Sequence, residues 1–81
     1  MFMIKPNDRT ESPWSQGQWD QAVTLIHKNK TSQGTVVSPV SLIQRHLSVS
    51  YEVGLAMVTE MQRLGLVSAP IDGGTVRRVD W

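Results

Sequence analysis

The side chains that could do chemistry in this sequence are few and scattered. Arg77 and Arg78 adjoin in a β-branched run, Thr75-Val76-Arg77-Arg78-Val79. Arg45 and His46 end one apolar-periodic segment, and Thr59, Gln62 and Arg63 fall late in the next. Guanidinium, imidazole, hydroxyl and amide groups of this kind suit phosphate oxygens and base edges. Neighbours on a strand face opposite sides, so only one of Arg77 and Arg78 can serve a given sheet face. His27 and His46 are the only histidines, there is no cysteine, and the carboxylates are not clustered. That argues against a metal site. No serine sits in a nucleophile-elbow pattern, and no glycine loop is spaced to cradle a phosphate. The chain reads as a non-enzyme with no cofactor.

The elements that must carry these residues follow from periodicity and breaks. Trp19, Ala22, Val23 and Ile26 recur at helical spacing within a segment from Gln18 to Lys30. Asp20 near its start and Lys28 and Lys30 near its end suit the helix dipole. Thr31-Ser32-Gln33-Gly34 breaks the pattern, and Thr35-Val36-Val37 reads as a short strand. Ser38-Pro39 is a helix start, with Ser as N-cap and Pro at N1. That helix runs Pro39 to Leu47, with Val40, Ile43 and Leu47 inward and Leu42 broadening the face. Ser48-Val49-Ser50 is a turn, and Ser50 is a second N-cap candidate. A third helix runs from Tyr51 to about Leu64, with Tyr51, Leu55, Val58, Met61 and Leu64 as its apolar stripe. Gly65 suits a left-handed C-terminal cap. Leu66-Val67 then reads as strand, Asp72-Gly73-Gly74 as a hairpin turn, and Thr75 to Val79 as the returning strand. This order predicts an α+β winged helix-turn-helix: three helices with a small C-terminal β-hairpin wing.

Composition sets the outer limits. The chain has 81 residues and a net charge of +1, with 40% apolar and 19% charged residues. One small domain is expected. Leu, Ile, Val and Phe make up about 26% of the chain, above the roughly 20% typical of disordered chains. Without cysteine there is no disulfide or thiol chemistry, so packing must supply the stability and the cytosol is the default compartment. No apolar run reaches membrane-spanning length, and Met1 to Pro6 lacks a secretory pattern. Residues 1–17 read as a flexible leader, or as an arm docking through Phe2, Met3, Ile4 or Trp14. Residues 18–81 read as the winged-helix domain.

The central residues resemble a known family. Val40-Ser41-Leu42-Ile43-Gln44-Arg45-His46-Leu47-Ser48-Val49-Ser50-Tyr51 is similar to the gamma domain of FtsK-type DNA translocases. That family carries Leu-x-Gln-Arg-x-Leu, an Arg-Ile-Gly-Tyr turn and an Asn-Arg-Ala-Ala-Arg helix. Glu60-Met61-Gln62-Arg63-Leu64-Gly65-Leu66-Val67-Ser68-Ala69-Pro70 continues the likeness. Trp19-Asp20-Gln21-Ala22-Val23 resembles the family's first helix and Arg77-Arg78-Val79 its returning strand. The similarity covers about residues 19–80, with an insertion-like loop near Thr31 to Val37. It implies a free-standing domain of that type, without the motor. Such domains read short polarity sequences on DNA through the third helix and wing, and contact a tyrosine recombinase.

This chain departs from that pattern at the reading positions. Ser48 replaces the turn Arg, and Glu52-Val53-Gly54-Leu55-Ala56 replaces Asn-Arg-Ala-Ala-Arg. The family's sequence specificity is therefore not carried over. Residues 38–64 hold two basic and two acidic groups, Arg45 and Arg63 against Glu52 and Glu60. The DNA-contact candidates are Arg45, His46, Thr59, Gln62, Arg63, Arg77 and Arg78, acting mainly on phosphate with weak selectivity. Val53, Ala56 and Met57 lie beside the expected stripe. With Glu52 they form a candidate protein interface. The partners expected are duplex DNA or, alternatively, a host DNA-processing protein bound by an adaptor or inhibitor from a mobile element. A second copy of the chain is a further candidate, and no membrane association is expected.

Overall fold

A computed structural model describes residues 13–71 and 73–81. Its elements are α1 (Gln16–Lys28), β1 (Thr35–Val37), α2 (Pro39–Leu47), α3 (Tyr51–Arg63) and β2 (Val76–Arg78). The fold is α+β, three helices and a two-stranded antiparallel sheet in winged-helix order.

Local chemistry sets most of the boundaries. Helix α1 starts two residues earlier than periodicity suggests, because Ser15 forms a capping box. Its hydroxyl accepts from the Gln18 N–H at 3.1 Å, and the Gln18 side chain accepts from the Ser15 N–H at 2.9 Å. Gln16 and Gly17 thus belong to the helix rather than to a leader. The tail expected over residues 1–12 lies outside the described residues. Helices α2 and α3 begin at Pro39 and Tyr51, as Pro at the first helical position and the Ser50 cap predict. At α3, the Ser50 hydroxyl accepts from the Val53 N–H at 3.2 Å. Gly65 takes φ 81° and ends α3 in a Schellman arrangement. The Gly65 N–H reaches the Gln62 carbonyl, and the Leu66 N–H reaches that of Met61.

Ser38 departs from its expected role. It is left-handed, with φ 51°, and its side chain caps nothing. Its N–H instead donates to the Thr75 carbonyl at 2.8 Å, extending the sheet past β1, so the chain must turn sharply to enter α2.

Strand β1 pairs with β2 in the register Thr35↔Arg78, Val36↔Arg77 and Val37↔Val76. The wing, residues 67–71 and 73–79, is a hairpin with one irregular arm; Asp72 of the expected turn lies outside the described residues. Leu66-Val67 is not a strand. The leading arm meets β2 through the Ile71 N–H to the Val76 carbonyl at 2.8 Å and the Ser68 N–H to the Arg78 carbonyl at 3.0 Å. Val67 is drawn off the sheet edge because its side chain is buried in the core.

The core consists of Ala22, Ile26, Val36, Ile43, Met57, Val58, Met61, Val67 and Val79. It corrects the expected rotation of α3. Met57 is fully buried, whereas Tyr51 is 55% exposed, Leu55 40% and Leu64 51%. Gly54 fixes that rotation: a Cβ there would come within 3.1 Å of the Val40 carbonyl oxygen. The bare glycine lets α2 approach closely on this side, which carries Met57, Val58 and Met61 inward and Leu55 outward.

Candidate nucleic-acid interface

The helix-turn-helix pair α2–α3 and the wing bring the candidate side chains onto three separate surfaces. Strand alternation divides the two wing arginines. Arg77 sits opposite the buried Val36, faces inward and is only 8% exposed. Its Nη1 donates to Gln62 Oε1 at 2.8 Å and to the Ser68 carbonyl at 3.0 Å. Burial pushes its guanidinium below the ordinary value. Arg77 and Gln62 therefore brace the wing against α3, and neither side chain extends as a free groove reader. Arg78 faces outward and is exposed, its backbone N–H held by Ser68 Oγ at 2.8 Å.

Along α3, Thr59 and Arg63 are exposed. Arg63 is 69% exposed but forks onto Glu60, with Nε donating to Oε1 at 2.9 Å and Nη2 to Oε2. The hydrogen bond from Arg63 is the main cause holding the Glu60 carboxyl below the usual range, and Glu60 in turn raises Arg63. Glu52 is exposed in the first turn. The outer face of α3 thus presents Tyr51, Glu52, Leu55, Thr59, Gln62 and Arg63, with one acidic and one basic group and an apolar contribution from its N-terminal half.

Arg45 and His46 are exposed in the last turn of α2. His46 lines a shallow groove against α1 with Asp20, Thr24 and Lys28, apart from the α3 strip. Of the proposed protein-interface residues, Glu52 is exposed and Val53 and Ala56 are half-buried. Met57 is not available at all, because it fills the core. The apolar surface that sequence reasoning sought on α3 exists, but Tyr51 and Leu55 provide it. Gly54 was the signal that could have located it, since a mid-helix glycine marks the side of closest approach.

A second groove, of about 240 Å³, runs between the N-terminus of α2, the outer face of α3 and the wing. Its walls include Ser38, Ser41, Tyr51, Leu55, Pro70 and Arg77. No helix among the described residues is long and apolar enough to cross a membrane.

No protein-family model matches the chain, and no solved structure matches it. A 56-residue stretch, 69% of the chain, is 36% identical to DNA translocase FtsK 2 of Ralstonia nicotianae (strain ATCC BAA-1114 / GMI1000). Wherever it starts, a stretch of 56 in 81 contains residues 26–56, and so takes in all of α2 and the turn into α3. The chain spans only 6% of that translocase. Within those limits, this part of the sequence is similar to part of that translocase.

Proposed function

We propose that this chain is a DNA-associated winged-helix domain of the FtsK gamma type, in which the base-reading residues are largely replaced. It acts by binding rather than by catalysis, in the cytoplasm. The observation that carries this reading is the likeness to a DNA translocase across a stretch that must include α2 and the turn. Contact with duplex is dominated by phosphate, because the cations left unengaged on the exposed surface include Arg45 and Arg78. Base readout through forked amide or guanidinium contacts is weak, because Gln62 and Arg77 hold each other and Arg63 holds Glu60.

Fluorescence anisotropy with random-sequence duplex and with a panel of octamer sites tests this. Binding is expected with little difference between sequences, and Arg78→Ala should weaken it evenly across the panel. A preference of about 10³-fold for one octamer, the lower end for dedicated readers, would overturn the weak-selectivity claim. No binding at low salt would overturn DNA contact itself.

A second reading is favoured by the exposed Tyr51 and Leu55 on the outer face of α3. In it the domain is an adaptor or inhibitor, from a phage or another mobile element, that docks on a host DNA-processing protein. Exposed apolar side chains beside one another on a small domain suit a protein contact better than a polyanion. A second copy of the chain could use the same strip.

A further inference from the structure

Helix α1 and the end of α2 enclose a groove of about 390 Å³ that no residue of α3 or the wing lines. The half-buried Leu25 and Leu47 are its apolar part, and the exposed Asp20, Thr24 and Lys28 stand along its α1 side. Helix α1 buries Ala22 and Ile26 in the core. Four-residue steps place Asp20, Thr24 and Lys28 in one row on the opposite side of the helix. The row carries a carboxylate, a hydroxyl and an ammonium, with Thr24 midway between the charges. Turned end for end about Thr24, it is its own complement: Asp20 falls on Lys28, and Lys28 on Asp20. An isologous two-fold contact requires a patch with that property. The Gln16 amide holds Asp20 at 2.9 Å, a neutral contact that fixes the carboxylate without cancelling its charge. Antiparallel helices also set opposite dipole ends side by side, and a net charge of +1 gives two copies little to repel.

We propose that two copies of this chain associate through α1, antiparallel, with the two-fold axis at Thr24. The α1 of each copy lies along the α1–α2 groove of the other. Asp20 of each copy meets the partner's Lys28, and Leu25 and Leu47 of each groove are covered. A duplex does not suit this groove, because a carboxylate shares the row with the ammonium. A foreign helix would have to supply a matching row, which the chain itself already carries. A thirteen-residue helix is about 20 Å long, so the contact is smaller than the roughly 1,600 Å² of a standard interface and dissociates readily. The two ion pairs set register and orientation more than strength. No residue of α3 or the wing takes part, so the contact is independent of the binding function proposed above.

The first test is sedimentation equilibrium of the whole chain from about 10 μM to about 1 mM, the range in which a small contact dissociates. A reversible monomer–dimer equilibrium is expected. Asp20→Lys and Lys28→Glu should each be monomeric alone, because like charges then meet at both ends of the row. Mixed together, the two variants should form a heterodimer, and a chain carrying both substitutions should dimerise as the wild type does. Both substitutions also oppose the α1 dipole, so a second measurement does without them. The chain has no cysteine. Thr24→Cys therefore places one thiol at the axis, where it meets its own copy. Under mild oxidation it should form a disulfide-linked dimer faster than Tyr51→Cys, whose thiol would stand on the outer face of α3. A wild type that stays monomeric throughout the range would overturn the proposal. Dimerisation of either single variant alone overturns it too, as does a mixture of the two folded variants that stays monomeric. Faster crosslinking at Tyr51 than at Thr24 would overturn it in favour of a contact through α3. Where either charge variant fails to fold, the crosslinking comparison decides alone.

Discussion

Two adjacent arginines in this protein have opposite fates, and a two-residue alternation decides which. Arg77 points at α3 and holds Gln62 and the Ser68 carbonyl, while Arg78 points to solvent. Arg77→Ala should therefore act on stability. It leaves two acceptors without their donor, at about 1–3 kcal/mol for a buried one. Arg78→Ala should change stability by no more than about 0.5 kcal/mol, as an ordinary surface substitution does. Paired thermal melts measure both. The Glu60–Arg63 fork makes a separate prediction about pH. A carboxyl whose folded value is depressed adds stability above its unfolded pKa and loses it as pH falls through the folded one. Carbon-detected NMR should find Glu60 titrating below an ordinary glutamate, and Arg63→Ala should return it toward the ordinary range. The pair is solvent-exposed, so acid should change the melting temperature little through this route. At this scale the sequence revealed that the wing arginines must diverge, but not which one turns inward. That depended on Val36 lying opposite Arg77 in a register set by β1.

Helix α3 illustrates how one apolar pattern can serve two rotations. Tyr51-Leu55-Val58-Met61-Leu64 has good helical spacing, yet the buried set is Gly54, Met57, Val58 and Met61. Val58 and Met61 belong to both, so periodicity alone could not choose. Close packing of Gly54 on Val40 chooses. Met57→Ala should cost about 2–5 kcal/mol, the range for truncating a buried methionine. Leu55→Ala should cost nearer about 1 kcal/mol, since much of that side chain already meets water. A larger loss at Leu55 than at Met57 in chemical denaturation would mean that α3 is turned the other way. Gly54→Ala reverses the usual expectation. In an open helix alanine gains about 1 kcal/mol over glycine. Here its Cβ would sit 3.1 Å from a backbone oxygen that cannot swing aside. The variant should be less stable than the wild type, with α2 and α3 forced apart. The start of α3 was legible because Ser50 carries its cap, and that of α2 because Pro39 suits the first helical position although Ser38 caps nothing. The irregular arm of the wing was not, because Val67 answers to the core rather than to its neighbours in sequence.

Across the whole molecule, the balance of engaged and free charge governs what the domain can bind. The net charge is only +1. Several cations are already committed: Arg63 to Glu60, Arg77 to Gln62 and Ser68, and Lys30 to the Trp81 carbonyl. That last contact belongs to a wider closure. The Trp81 ring stacks on His27 at 4.6 Å, and its indole N–H donates to the Leu66 carbonyl at 2.7 Å, tying the residues after β2 back to α1 and to the end of α3. Among the described residues, the exposed cations outside those contacts lie apart: Lys28 at the end of α1, Arg45 at the end of α2 and Arg78 on the outer wing. A duplex bound by so few groups releases few counterions. For about two phosphate contacts the logarithmic slope of affinity against salt is about −2. Raising salt from about 50 to 200 mM should then weaken binding by roughly 10–30-fold, against about 10³–10⁵-fold for a protein with six to ten contacts. Arg78→Ala should lower the slope by about one unit, and Arg77→Ala should leave it unchanged wherever the variant remains folded. A steep wild-type slope would mean that many more cations than these make contact, whereas equal slope changes from both variants would mean that Arg77 leaves its brace to meet the phosphate. The wing would then be a moving part rather than a fixed wall, and the groove beneath it would open when DNA binds.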